Sequence, residues 1–273
     1  MEKKLRVTQD LDLAAIDPAS TPGWNKGKAN AIKALAKGVA EIGDLQQRIF
    51  AESLNGGTRS VLLVLQGMDT SGKGGTVAHV LERVDPHGLK VHAFKRPTPA
   101  ERRHDFLWRI RRQLPSPGDF GVFDRSHYED VLIQRVHAMA SPDVIESRYG
   151  AITDFESELI ASGTTLIKIM LHISPAEQKA RLLARLNDPT KQWKFDPSDV
   201  DERGFWPAYQ EAYELAIRRT TTADAPWYVV PADHKWYSRL AVQNIVLTRL
   251  RAMQLEWPVP GYDVEVQKQR LAL

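Results

Sequence analysis

Short apolar runs alternate with longer stretches of helical spacing along most of this chain. The runs lie at 61–65, 91–94, 121–123, 166–173 and 227–230. Each has the length of a strand and is too short for a helix, and most are rich in β-branched residues. Between and after them, apolar positions recur at helical intervals over about 73–84, 99–113, 127–138, 142–161, 175–186, 202–221 and 235–253. Ser174-Pro175 and Ser141-Pro142 each read as an N-cap followed by proline in the first helical turn. Strands that alternate with helices predict an α/β fold, a five-stranded parallel sheet with helices on both faces. We expect one catalytic domain over 60–255, a helical, polar N-terminal extension over 1–59 that packs on it, and an irregular tail over 256–273.

The chain has 273 residues and a net charge of only +3. Its distribution says more than its sum. From Lys95 to Arg112 there are seven basic residues against two acids, a net +5. From Lys179 to Lys194 there are five against one, a net +4. The remainder is therefore acidic, and two positive patches on an acidic body suit an anionic partner. There is no cysteine, which excludes disulfides, thiolate zinc sites, iron–sulfur clusters and cysteine nucleophiles. The first residues lack the apolar stretch of a signal peptide, and no run approaches membrane-spanning length. A cytoplasmic protein with no membrane partner is the expectation.

The run from Ser60 through Gln66 leads into Gly67-Met-Asp-Thr-Ser-Gly-Lys73-Gly74-Gly75. A strand, a glycine-rich turn with glycines at 67 and 72, a lysine and then a helix is the context of a Walker A loop. Its backbone N–H groups, at Gly67, Thr70, Ser71, Gly72, Gly74 and Gly75, would cradle phosphate oxygens. Lys73 would reach the transferring phosphoryl group. Two features depart from the common form. Gly74 stands where a metal-binding Ser or Thr is usual, and an acid, Asp69, stands inside the loop. A carboxylate among phosphate-binding amides is repulsive unless a cation or proton lies between them, so Asp69 is the candidate metal ligand in place of the missing hydroxyl, or else positions the attacking phosphate. Asp124 ends the third apolar run, the Walker B position, and makes the second candidate Mg²⁺ ligand. Arg125 follows it, suited to bidentate phosphate contact.

Gly67-Met-Asp-Thr-Ser-Gly-Lys-Gly74, Phe94-Lys-Arg-Pro-Thr98, Phe106-Leu-Trp-Arg109 and Phe123-Asp-Arg-Ser-His-Tyr128 together resemble the polyphosphate kinase 2 family, over about residues 30–255. The resemblance implies a P-loop kinase-like fold and Mg²⁺-dependent, reversible transfer of phosphate from inorganic polyphosphate to AMP, ADP or both. Adenine is the expected base, with guanine as an alternative. It also implies that Asp69 and Asp124 are the essential acids, that Lys73 and Arg125 bind phosphate, and that Arg181 and Arg185 belong to a helical lid over about 181–200. A homodimer or homotetramer is implied as well. Glu129-Asp130-Val131 resembles the subgroup that accepts both mono- and diphosphates, which makes Glu129 a candidate specificity residue.

The basic windows fit this picture. Lys95 and Arg96 follow the second strand at the ligand-binding edge of the sheet. A helix over 99–113 would gather Arg102, Arg109 and Arg112 near one face, with Leu107, Ile110 and Leu114 turned to the core. Arg181 and Arg185 lie one helical turn apart, ahead of a break at Pro189. With Arg135 these complete the candidate phosphate-binding set. Polyphosphate needs a line of cations rather than a pocket. His127 is expected to pack or hydrogen-bond rather than act as a base, and Trp193 is a candidate for stacking on a nucleobase. Two other readings compete: an ATP-dependent nucleoside monophosphate kinase, and a P-loop ATPase that binds nucleic acid. The second lacks the interleaved aromatic platform of single-strand binders, so no nucleic-acid partner is expected.

Overall fold

The computed structural model describes residues 1–272. Five strands, β1 (Ser60–Gln66), β2 (Leu89–Ala93), β3 (Phe120–Asp124), β4 (Thr164–His172) and β5 (Trp227–Pro231), pair in parallel in the order β2-β3-β1-β4-β5. The longer helices are α1 (Gly27–Ser53), α2 (Lys73–Val80), α3 (Pro142–Ala161), α4 (Pro175–Leu186), α5 (Trp206–Thr220), α6 (Lys235–Ala252) and α7 (Val264–Leu271).

Burial on both faces explains the unbroken apolar strands. Along β1, Val61, Leu63 and Leu65 join one core with Ile42 and Ile49 of α1, Val80 of α2 and Ala241, Ile245 and Leu250 of α6. Leu62 and Val64 point the other way, to Ile152 and Phe155 of α3 and Ala212 and Ile217 of α5. That alternation is the period-two geometry of a strand. The register puts Leu65 opposite Asp124, and Asp124 opposite Ala93, so β1, β2 and β3 deliver their carboxyl ends to one edge. No helix is long and apolar enough to cross a membrane among the described residues.

Three expectations change. The 99–113 stretch is a 3-10 turn at Glu101–Arg103 and a short helix at Trp108–Arg111, with His104 extended between them. Thr98 and Glu101 cap each other there, and Asp105 accepts from Leu107 N, so local side-chain bonds restart the chain. The 127–138 stretch likewise divides into His127–Asp130 and Ile133–Val136. At the C-terminus, Asp263 accepts from Glu265 N and Val266 N and starts α7, where an irregular tail was expected from Pro258, Pro260 and Gly261. Of the two Ser-Pro signals, Ser174 caps α4 through Glu177 N at 3.1 Å, whereas the Ser141 side chain makes no cap bond.

Candidate active site

β1 runs straight into the phosphate loop. Gly67 has φ +142°, and a Cβ there would lie 2.6 Å from the Leu171 carbonyl oxygen, so only glycine fits. Thr70 (φ +63°) and Gly72 (φ +108°) turn the backbone again before α2 begins at Lys73. Lys73 is buried, and its Nζ donates to Gly67 O at 2.7 Å. The Thr70 and Ser71 hydroxyls are buried without hydrogen-bond partners. Gly74 and Gly75 meet open space or only the tip of Arg239, so the helix start is unobstructed.

Asp69 accepts from Arg125 Nη2 at 2.7 Å. Burial works to raise the Asp69 carboxyl, but Lys73, Arg125 and Arg185 outweigh it and hold it below the usual carboxylate range. The same pairing keeps Arg125 firmly protonated against the cost of burial. Arg125 itself has φ +64°, a left-handed conformation that non-glycine residues rarely adopt. Its N–H bonds Leu65 O at 3.1 Å, which ties the end of β3 to β1. Asp124, Lys73 and Asp69 line one cleft of about 600 Å³ with Lys95, Arg125, Arg185, Trp193 and Lys194. Two carboxylates beside a phosphate loop suit a hard divalent cation, which takes one or two protein carboxylates and completes its shell with phosphate oxygens and water. No three His, Asp or Glu side chains form a closed cage among the described residues.

This centre opens two ways. On one side a cleft of about 470 Å³ is lined by Arg181, Arg185, Lys191, Lys194, Lys235 and Arg239, together with Thr70, Gly72, Thr76 and His79, and by no carboxylate. Burial and the neighbouring Arg181 charge lower both Lys235 and Arg239, the signature of cations crowded together. On the other side, a cleft of about 370 Å³ is lined by Phe94, Pro97, Ile133 and Met139 with Arg96, Arg125, Glu129, Gln134 and His137. An adjoining cleft of about 260 Å³ is lined by Asp69, Arg125 and Glu129 together with Asp196, Asp199 and Glu202. Burial, and then the Asp69 charge, push Asp199 up to about 6 against the pull of Arg185, 3.4 Å away. Burial also raises Glu129, against the attraction of Arg125 and Lys73.

The sequence reading thus brought together Asp69, Lys73, Asp124, Arg125, Lys95, Arg96, Arg185 and Glu129. Arg181 needs correction as a phosphate ligand. It is buried, and all five of its N–H donors are taken: Nε by Glu177, Nη1 by the carbonyls of Thr70 and Ser71, and Nη2 by those of Ala232 and Asp233. It braces the loop from behind and has no donor left for a phosphate. Arg135 pairs with Glu211 at 3.3 Å and lines none of these clefts. The first basic window also disperses. Arg111 pairs with Glu158, Arg112 lies over the Trp108 ring, and buried Arg109 donates to Lys95 O at 2.7 Å. His127 is fully buried against Glu156, as expected of a packing residue. Sequence reasoning missed Lys235 and Arg239. Their signal was an i, i+4 cationic pair in the first turns of a helix that follows the last strand.

A family model described as Polyphosphate kinase 2 (PPK2) matches residues 26–258. The chain belongs to the polyphosphate kinase 2 family. It is 43% identical over 260 residues to the AMP/ADP-polyphosphate phosphotransferase of Meiothermus ruber, covering 94% of this chain and 96% of that one. It is 38% identical over 257 residues to the ADP-polyphosphate phosphotransferase of Rhodopseudomonas palustris, covering 88% and 86%. Its fold matches the crystal structure of polyphosphate kinase 2 from Arthrobacter aurescens TC1 with a TM-score of 0.97 at 50% identity, over 99% of this chain and 95% of that one. The family is one of phosphotransferases, and the P-loop kinase-like reading of the sheet holds.

Proposed function

We propose that the two clefts divide the substrates of a polyphosphate:nucleotide phosphotransferase. Inorganic polyphosphate lies along the cationic cleft of Arg185, Lys191, Lys194, Lys235 and Arg239, and AMP or ADP enters the cleft beside Phe94, Pro97 and Ile133. The single observation that carries this is a groove lined by these five cations and no acid, with the Arg181 charge behind it, that opens onto Lys73, Asp69 and Asp124. A linear polyanion needs such a track, whereas ATP as donor needs only the loop. The relatives named for AMP/ADP- and ADP-polyphosphate transfer support both substrates.

In the reaction, a terminal phosphate oxygen of AMP or ADP attacks the terminal phosphorus of polyphosphate. The P–O bond to the penultimate phosphate breaks, and the chain leaves one unit shorter. The acceptor oxygen is already ionised, so no side chain is required to remove a proton. Catalysis is positioning and charge stabilisation. Loop N–H groups and Lys73 hold the transferred group, Arg125 spans the acceptor and transferred phosphates, and Arg185 approaches from the last turn of α4. Asp69 and Asp124 would hold a Mg²⁺ ion, which when bound shields the charge between donor and acceptor. Glu129, beside Arg125, sets how deeply the acceptor phosphate sits and so admits both mono- and diphosphates.

Incubation with AMP and either polyphosphate or ATP tests the donor. ADP and ATP formed with polyphosphate are expected. Product with ATP alone would favour a nucleoside monophosphate kinase, and tight DNA binding without polyphosphate-dependent synthesis would favour a nucleic-acid ATPase.

A further inference from the structure

Behind Arg125 lies a charged network with no solvent contact. Lys168 in β4 is completely buried, and its Nζ donates to Glu156 Oε2 at 2.6 Å, to Thr220 O at 2.7 Å and to the Tyr128 hydroxyl at 3.3 Å. All three ammonium protons are therefore placed. Glu156 Oε1 accepts from the Tyr128 hydroxyl at 2.7 Å and faces His127 Nε2 at 3.3 Å. Burial opposes the Glu156 charge, but Lys168 and His127 outweigh it and keep it ionised.

A buried ion pair is weak evidence for stability, since packed apolar residues of similar volume often serve as well or better. What this pair does hold is the segment directly after Arg125. His127 and Tyr128 are the only residues of the 126–130 turn that it grips, and the turn is fixed further by Ser126 Oγ accepting from Tyr128 N at 3.2 Å. With its amide oriented to satisfy both ends, Gln66 donates to Glu129 Oε1 at 3.1 Å and accepts from Ser126 Oγ at 3.0 Å. The same turn is thus tied to the residue that precedes Gly67. Arg125 sits between these anchors in a left-handed conformation, and such strain persists only where the surroundings over-determine it.

We infer that the Lys168–Glu156 pair is a positioning device for Arg125, gripping His127 and Tyr128 so that the strained turn aims the guanidinium at Asp69 and the phosphates. This rests on the reading of Arg125 as a phosphate-binding residue. The pair touches no substrate and acts only through that turn. Slack of about 1 Å at a positioned group can cost about 10²-fold in rate.

The test is a cycle between Arg125→Ala and the paired replacement Glu156→Leu with Lys168→Met. The paired variant is expected to remain folded at the assay temperature, which a thermal melt checks. Its kcat should fall about tenfold or more with a smaller change in the polyphosphate KM. In the Arg125→Ala background the same replacement should cost less than about twofold, because the group being positioned is gone. An equal factor in both backgrounds, or an unchanged kcat in the wild-type background, overturns the proposal while leaving the role of Arg125 intact. Wild-type turnover in Arg125→Ala alone overturns both. If the paired variant does not fold, Tyr128→Phe replaces it in the same cycle, since it keeps the ring and removes only the hydroxyl that meets Glu156 and Lys168.

Discussion

Asp69 Oδ1 and Arg125 Nη2 meet at 2.7 Å, joining the acid inside the phosphate loop to the residue that follows the Walker B aspartate. The contact explains how a carboxylate can stand among phosphate-binding amides. Its charge is matched by Arg125 and Lys73, so it stays ionised and available to a cation. It also ties the loop after β1 to the end of β3.

Arg125→Lys should therefore be far from conservative. Lysine keeps the charge but loses the planar fork that spans two acceptors. Polyphosphate-dependent turnover is expected to fall by about tenfold to a hundredfold with the unfolding temperature little changed. Steady-state kinetics and a thermal melt on the same sample check this.

Lys235 and Arg239 should govern the donor. Replacing both by Gln is expected to raise the KM for long-chain polyphosphate by about tenfold or more, with little effect on the nucleotide KM, and to flatten its salt dependence. Replacing Arg102 and Arg112 by Gln should change the polyphosphate KM by less than about twofold. Both are exposed on the dispersed 101–112 segment, and Arg112 lies over the Trp108 ring.

Arg181 should act on stability. Four of its five hydrogen bonds hold the backbone carbonyls of the loop and of 232–233, and buried charge-assisted bonds of this kind are costly to leave half-made. Arg181→Met is expected to lower unfolding stability by on the order of 2–4 kcal/mol in urea titrations. Activity should fall with it, because the loop loses its brace.

Asp199 supplies a pH test. Its carboxyl is raised in the folded chain to about 6 from an ordinary 3.8. The folded state then holds a proton that the unfolded state releases, so ionising Asp199 costs stability as pH rises from about 4 to 6, and the cost is constant above that. Asp199→Asn should therefore stabilise the protein at pH 7–8 by about 1 kcal/mol or more, with no gain near pH 3. Denaturant melts across that range measure it.

Where local chemistry decides the structure, the sequence was legible. The unbroken β-branched strands, the Gly67 to Lys73 spacing and Asp124 at a strand end placed the sheet and the edge that carries the phosphate loop. The misreadings have two sources: local capping by Thr98, Glu101, Asp105 and Asp263, and packing between residues far apart in the chain. Helical spacing over 99–113 could not show that Thr98, Glu101 and Asp105 would spend their side chains on local backbone bonds. Arg181 and Arg185 look equivalent one turn apart, yet one faces four carbonyls and the other the cleft. Lys235 and Arg239 lie more than 150 residues from the loop in sequence and reach it only because β5 pairs beside β4.

The most direct measurement is ATP formation from AMP and from ADP, with polyphosphate and Mg²⁺, by the wild type and Asp69→Asn side by side. The wild type is expected to convert both nucleotides, and Asp69→Asn to do so at least about 10²-fold more slowly while remaining folded at the assay temperature. Full polyphosphate-dependent activity in Asp69→Asn would contradict the account.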